Sequence, residues 1–283
     1  MTTQNMYKKI VVPLDGSPLA EVALPYAEEV AGKMGSDIVL LTVLPSEEQD
    51  DYLAHQNYAG KIVDITKRQV DKYSENTGNK SIKVGTATRT GNPAEGILDY
   101  VEKGNMCLIV MATHGRSGVG RWAVGSVADK VVRSTTRQPL LLIRAKGAHP
   151  DVRAKRILKK GLLPLDGSTI SEAVIPYFSE AARSLQMELT LLRVITKNNG
   201  SFAAADTYLG DWCRQLTNKG INVKYEVRSG SPAEQIIDLA DELASDLVVM
   251  STRGQTGINL WSLGSIAQKV LLGGNTPLLL IRA

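Results

Sequence analysis

Five short runs dominated by β-branched and aliphatic residues punctuate the first half of the chain: Lys9–Leu14 (KIVVPL), Asp37–Leu44 (DIVLLTVL), Ser81–Thr88, Met106–Ala112 (MCLIVMA) and Leu140–Arg144. They are continuous rather than alternating, the pattern of strands buried on both faces. Polar, helix-forming stretches separate them. The first opens on Ser17 as N-cap with Pro18 behind it, runs to about Met34 and stops at Gly35. The others cover 52–77, Ala94–Lys103 after the Gly91-Asn92-Pro93 turn, and about Ser126–Ser134. Strand and helix in strict alternation predict an α/β fold, a parallel sheet with helices on both faces. Pro25-Tyr26 and Pro176-Tyr177 fall inside the first helix of each half. An interior proline costs about 3 kcal/mol or kinks the helix, so these pairs carry a structural role.

The second half repeats the first. VVPLDGSPLAEVALPYAEEVA at Val11–Ala31 returns as LLPLDGSTISEAVIPYFSEAA at Leu162–Ala182, and THGRSGVGRWAVGSVADKVV at Thr113–Val132 as TRGQTGINLWSLGSIAQKVL at Thr252–Leu271. QPLLLIRA at Gln138–Ala145 returns as TPLLLIRA at Thr276–Ala283. A repeat of about 140–150 residues is the size of a whole domain, not of a solenoid unit. The expected organisation is a domain over 1–145, a polar linker over 146–155 (KGAHPDVRAK) and a second domain over 156–283. The second copy is twelve residues shorter around its second helix (Val43 to Gly91 against Val194 to Gly230).

Composition removes several function classes. A formal charge of +4, 5% aromatic residues and no basic helix interleaved with aromatics argue against nucleic acid. No apolar run approaches the roughly 18–20 residues of a membrane span, and MTTQNMYKKIVV lacks the apolar core of a signal peptide, so a cytoplasmic protein is expected. Cys107 and Cys213 are not equivalent in the repeat and there is no CxxC, which leaves neither a disulfide framework nor a zinc site.

The shared segments are mostly loops rich in Gly, Ser and Asp, and shared loops point to a shared site. In an open parallel sheet, ligands bind beyond the carboxyl ends of the strands where the strand order reverses. Asp15 and Asp166 close the first strands; Ala112–Gly125 and Ser251–Gly264 follow the fourth. Gly115, Gly118 and Gly120 allow backbone N–H groups to turn inward, and Gly125-Ser126 begins a helix whose first N–H groups and dipole favour an anion; Gly254, Gly257, Gly264 and Ser265 are the counterparts. The two aspartates cannot hold phosphate. They can accept from an amine or hydroxyl such as adenine or ribose supplies, or hold a metal. There is no GxxxxGK[ST] and no GxGxxG after the first strand, so the generic nucleotide motifs are absent. A strand–Gly loop–helix can also be only a tight connection.

Taken together, these motifs resemble the universal stress protein family, in particular its tandem-domain members, over nearly all of both halves. Nucleotide-binding members show Gly, two residues, Gly, nine residues, then Gly-Ser or Gly-Thr; here Gly115 and Gly254 are each followed by nine residues and then Gly125-Ser126 or Gly264-Ser265. The first-strand Asp-Gly-Ser and the Gly-x-Pro-Ala-Glu turns at Gly91–Glu95 and Gly230–Glu234 also match. The resemblance implies two five-stranded sheets of order 3-2-1-4-5. It implies ATP (or ADP or AMP) with Mg2+, adenine near Asp15 and the backbone of Val43, or near Asp166 and Val194. Phosphates would lie on Gly115, Gly125, Ser126 and Val127, or on Gly254, Gly264, Ser265 and Ile266. Pro13, Met111, Ala112 and Arg116, with Pro164, Met250 and Ser251, complete the candidate nucleotide-binding set. The family also pairs its last strands, which would make a pseudo-dimer within one chain, and a homodimer is a further arrangement it allows. Stress response through the nucleotide-bound state or a partner, with at most slow ATP hydrolysis, is the implied function. The alternatives are a nucleotide-independent scaffold with degenerate sites, and an adenine-nucleotide enzyme that would need further catalytic motifs.

Departures from the family pattern make the two sites unequal. The first Gly of the pattern is Ala112 in one copy and Ser251 in the other, and Arg116 and Arg121 become Gln255 and Leu260. His114 becomes Arg253, which argues against a general-base role for it. Trp122 and Trp261 recur and are expected to pack under the helix; His55 and His149 have no counterparts and read as surface. The first site is expected to be the stronger.

Overall fold

The computed structural model describes residues 8–45, 52–75, 77–78, 82–104, 107–114, 124–144, 156–196, 200–252 and 263–282, and the chain divides into two compact units, 1–157 and 158–283. The first unit runs β1 (Lys9–Pro13), α1 (Pro18–Glu21), α2 (Leu24–Met34), β2 (Asp37–Leu44), α3 (Tyr52–Ser74), β3 (Val84–Thr90), α4 (Pro93–Lys103), β4 (Leu108–Ala112), α5 (Ser126–Ser134) and β5 (Leu140–Ile143). The second repeats it as β6 (Lys160–Pro164), α6 (Thr169–Glu172), α7 (Val174–Ser184), β7 (Glu188–Ile195), α8 (Phe202–Asn218), β8 (Asn222–Ser229), α9 (Pro232–Glu242), β9 (Leu247–Ser251), α10 (Ser265–Gly273) and β10 (Leu278–Ile281). Strand order is β3-β2-β1-β4-β5 in one unit and β8-β7-β6-β9-β10 in the other, all parallel. The expected 3-2-1-4-5 order therefore holds in both.

Burial explains the continuous apolar runs. Every residue of β4, β5, β9 and β10 is buried, as are Ile10, Val11 and Val12 of β1. In the first unit α2 packs with α3, and α4 with α5, so helices cover both faces of the sheet. Only β3 and β8 carry frequent exposed positions, as edge strands do.

Several boundaries differ from the sequence expectation by one to three residues, and two of the departures have a plain physical cause. The first helix is two helices, α1 and α2, broken at Val22 and Ala23, with Pro25 in the first turn of α2. Proline has no N–H to give to the preceding turn, so the chain restarts where that N–H would be orphaned in any case. Pro176 does the same within the first turn of α7. The third strand spans Val84–Thr90 rather than Ser81–Thr88, because pairing decides its limits. It follows β2 in register from Ile38↔Val84 to Leu44↔Thr90.

Helices α2 and α3 approach very closely. A Cβ added to Gly32 would lie 2.4 Å from Tyr73 Cβ and 2.9 Å from the Val70 carbonyl oxygen. The last residue of the unit is held to the same helix: the Ile157 N–H donates to Oε2 of the fully buried Glu29 at 2.8 Å.

Gly32→Ala should lower stability although alanine is the better helix former. The overlap with Tyr73 forces the helices apart at a cost of about 1–3 kcal/mol, more than the roughly 0.5–1 kcal/mol that alanine gains in a helix. Hydrogen exchange of α3 in the variant, compared with α8 as internal control, measures the difference.

Candidate functional site

The carboxyl ends of β1 and β4 lie side by side, paired at Ile10↔Leu108 and Val11↔Ile109. Beyond them opens a cavity of about 250 Å³. Of the sequence-predicted residues, Pro13, Asp15, Val43, Met111, Ala112, Gly125, Ser126 and Val127 all line it. Gly115 and Arg116 lie outside the described residues.

One wall is the Asp15-Gly16-Ser17 turn. Oδ1 of Asp15 accepts from the Ser17 N–H at 3.0 Å and from the Ser17 hydroxyl at 2.6 Å, and Ser17 Oγ in turn accepts from the Ala20 N–H at 3.2 Å as the cap of α1. Gly16 sits at φ 81°, a conformation that a side chain would strain. The second unit builds the same turn: Asp166 Oδ1 accepts from Ser168 N–H and Oγ at 3.0 and 2.5 Å, and Gly167 has φ 76°. The sequence thus supplies an aspartate whose first oxygen fixes its own turn, leaving the carboxylate oriented at the strand end.

The opposite wall is the start of α5. The Gly125 N–H donates to the Thr113 carbonyl at 2.8 Å, and Asp129 N–H returns to the Gly125 carbonyl at 2.9 Å. This closure seats the helix against the end of β4. Glycine fits here because an added Cβ would stand 3.0 Å from the Thr113 carbonyl oxygen. Helices α1, α4, α6 and α8 begin on Ser or Asn side chains that accept from their first turn, whereas α5 and α10 begin on Gly125 and Gly264 with no side-chain cap, as do α2, α7 and α9 on their own residues. The N–H groups of Ser126, Val127 and Ala128 therefore have no intrahelical acceptor and present the positive end of the helix dipole. In the second unit Gly264 N–H donates to Thr252 carbonyl at 2.7 Å and Gln268 N–H to Gly264 carbonyl at 2.9 Å, so Ser265 and Ile266 open α10 in the same way.

The floor is β2. The Leu41 carbonyl accepts from Leu14 N–H on the β1 side, and the Leu44 carbonyl accepts from Gly91 N–H on the β3 side, both at 2.9 Å. Backbone groups alternate direction along a strand, so the N–H and C=O of Val43 face the side that β1 has left. Helix α4 presses on this residue: an added Cβ at Gly96 would stand 2.7 Å from Val43 Cγ1. His114, 7% exposed, also lines the cavity, its Nδ1 3.0 Å from the Thr113 hydroxyl.

In the second unit Pro164 ends β6, Asp166 follows it, Val194 lies in β7, and Met250 and Ser251 end β9 beside β6. Gly254 falls outside the described residues, as do Gly118, Gly120, Gly257, Arg121, Arg253, Gln255, Leu260, His149, Trp122 and Trp261 and the side chain of His55. Ile266, counterpart of the cavity-lining Val127, stays 37% exposed, an apolar side chain left open to solvent.

The universal stress protein family model matches residues 6–144 and 158–282. The chain belongs to the universal stress protein family. Universal stress protein MJ0531 of Methanocaldococcus jannaschii is 30% identical over 149 residues, 50% of this chain and 84% of the relative. Universal stress protein Slr1230 of Synechocystis is 24% identical over 298 residues, covering 97% of this chain and 100% of the relative, so the tandem arrangement is shared. A universal stress protein from Archaeoglobus fulgidus has the same fold over 98% of each chain, with a TM-score of 0.72 at 19% identity. Among the described residues no helix is long and apolar enough to cross a membrane.

Within this universal stress protein the structure also sets, around the Asp-Gly-Ser turns, residues that the sequence reading passed over. The Tyr58 hydroxyl donates to Glu21 Oε1 at 2.7 Å, and Tyr208 to Glu172 Oε1 at 2.8 Å. Burial first, then the bond to Glu21 and the nearby Asp15 charge, keeps the Tyr58 hydroxyl protonated well above the usual tyrosine range. The signal was present: a tyrosine stands at nearly the same distance behind an equivalent glutamate in both halves. Arg193 is a feature of the second unit alone, where Thr42 is its counterpart. It is 8% exposed, donates to the Leu165 carbonyl at 3.3 Å, lies against Gly167 and stands 5.9 Å over the Tyr208 ring. A buried cation thus braces the second Asp-Gly-Ser turn and ties it to α8. Gly96 is likewise replaced by Gln235, whose side chain lies against Gly230.

Arg193→Met keeps the aliphatic stem but removes the bond to Leu165 and the stacked charge. Local opening of β6 and β7, read by hydrogen exchange, should become easier by about 1–2 kcal/mol, with the first unit unchanged.

Proposed function

We propose that the crevice of each unit binds an adenine nucleotide, ATP or its di- or monophosphate. In this reading the protein acts in a cytoplasmic stress response through its nucleotide-bound state rather than through rapid turnover. The observation that carries this is the convergence, on one cavity, of the outward backbone edge of Val43, the Asp15 carboxylate and the uncapped start of α5. An N–H beside a C=O complements the ring-nitrogen acceptor and amino donor of adenine. Guanine presents the reverse pattern on the same edge. The apolar lining from Pro13, Leu41, Ile97 and Met111 suits a purine face, and the free N–H groups of α5 suit a phosphate chain. Asp15 would accept from ribose or the base.

Mg2+ fits this arrangement as a companion of the phosphates. Among the described residues no group of three or more His, Cys, Asp or Glu is placed to hold a metal, and Asp15 is the one acidic residue of the cavity lining. Mg2+ usually keeps its waters and is held by one or two carboxylates plus phosphate oxygens. With Asp15 turned to ribose or the base, phosphate oxygens and water would hold the ion.

The same site in the second unit would use Asp166, Val194, Gly264, Ser265 and Ile266. The domains we assign are 1–145 and 156–283 with a linker between. Each ends on a wholly aliphatic strand, β5 or β10, that is the terminal strand of its own five-stranded order. Such edges call for cover, which supports pairing them into an intramolecular pseudo-dimer.

Mass spectrometry of gently purified, then denatured protein should find ATP, ADP or AMP at about one to two per chain, the tandem stoichiometry. Calorimetric titration should favour ATP over GTP. Gly125→Val, which pushes a branched side chain onto the Thr113 carbonyl, should weaken the first site by about tenfold or more and leave the second. Absence of both co-purified nucleotide and ATP affinity would transfer the assignment to the scaffold reading.

A further inference from the structure

Behind the first crevice, on the other side of α2, lies a polar contact that the nucleotide reading does not use. The inward face of α3 is Ile62, Thr66, Val70 and Tyr73, spaced as successive turns of one helix face, and Thr66 is its single non-aromatic polar member. Opposite them α2 offers Glu28, 5% exposed, and Gly32, whose missing Cβ lets Tyr73 close in. Thr66 is fully buried, and its hydroxyl lies near enough to Glu28 to favour the ionised carboxylate without closing a hydrogen bond of ordinary geometry. A carboxyl has thus been placed in a tight helix–helix seam where an apolar residue would pack without cost.

We propose that Glu28 makes the α2–α3 contact of the first unit a pH-operated latch, closed while the carboxyl carries its proton and loosened when it ionises. The surroundings set the direction. Burial pushes the Glu28 carboxyl up to about 7, against the weaker lowering influences of Thr66 and Lys72. On α3 the remaining charged residues near this segment, Asp64, Lys67, Arg68 and Asp71, are exposed, and Tyr73 is held protonated up to about 12 by burial and by the charges of Glu29 and Glu28. On α2 the neighbours are Glu29, occupied with Ile157, and Lys33. The strands beneath α2, namely β1, β2 and β4, carry only Lys9 and Asp37 as titratable residues, both at strand beginnings.

A carboxyl that opens into water ionises near its ordinary value of 4.5, whereas the closed one does so near 7. Between these values the closed state holds a proton that the open state has lost. The closed form is therefore favoured fully at low pH, progressively less through neutrality, and least above pH 7. The second unit has Ser179 in place of Glu28, with its hydroxyl returned to the Ile175 carbonyl at 2.5 Å, and lacks the device.

Hydrogen-exchange mass spectrometry on the full chain, corrected for intrinsic exchange rates, tests the latch. Between pH 6 and 8.5 the opening equilibrium of α3 should rise about tenfold, the value that the two ionisation midpoints give. It should stay flat in Glu28→Gln and in α8 of the same molecule. A flat α3, the same slope in the variant, or an equal slope in α8 would overturn the proposal. Should the variant not fold, carbon-13 titration of the Glu28 carboxyl in the unmodified protein decides: a midpoint near 7 supports the latch and one below 5 removes it. None of these measurements requires nucleotide, so the latch stands or falls independently of the binding reading.

Discussion

The parting of β1 and β4 is the constraint on which the rest of each unit depends. The two strands are hydrogen-bonded neighbours, but the chain leaves them toward opposite ends of the sheet order. From β1 it moves outward through α1 and α2 to β2 and β3; from β4 it moves the other way through α5 to β5. Parallel crossovers have one hand, so the two directions place their helices on opposite faces. The chain therefore leaves two adjacent strand ends in opposite directions and opens a crevice there. The Asp-Gly-Ser turn is what β1 needs to enter α1, and the Gly-Ser start of α5 is what β4 needs to return. The residues with chemical potential stand where topology had to bend the backbone.

This dependence explains why so much was legible in the sequence. Strand entry into a helix demands particular residue types, such as Gly16 at positive φ and Ser17 as a cap, and those demands repeat in Gly167 and Ser168. Parallel order followed from continuous apolar runs. Less legible was anything set by distance between elements. Nothing local to Gly96 shows that a Cβ there would meet Val43, and nothing local to Gly32 shows that Tyr73 closes on it. The break between α1 and α2 was signalled by Pro25, but whether a proline bends a helix or restarts it is settled by the packing of the whole unit. The limits of β3 were misplaced by three residues at its start, since its own sequence is weakly apolar and β2 imposes the register.

The two units differ less in the described walls of their crevices than in what supports those walls. Asp15 and Asp166 make the same bonds, and Gly125 and Gly264 the same closures. Behind them Thr42 gives way to Arg193, Gly96 to Gln235 and Glu28 to Ser179. One duplicate braces its turn with a buried cation tied to α8. The other sets its long helix against α2 through a glycine contact and a protonatable carboxyl. The two units thus differ in the contacts behind the crevice, while the Asp-Gly-Ser turn and the glycine closure at the strand ends are the same in both.

The bond from Gly125 N–H to the Thr113 carbonyl, and its twin from Gly264 to Thr252, has a consequence for how such a protein can change. Each bond clasps the two ends of a chain segment directly at the sheet. The clasp is made by backbone alone, so it depends on no side chain at either end, and the entropy of closing a loop rises only slowly with its length. A clasp of this kind can join the same strand end and helix start across connections of different length. Both units carry it, so the backbone geometry that seats the helix is the same twice over while the side chains around it differ.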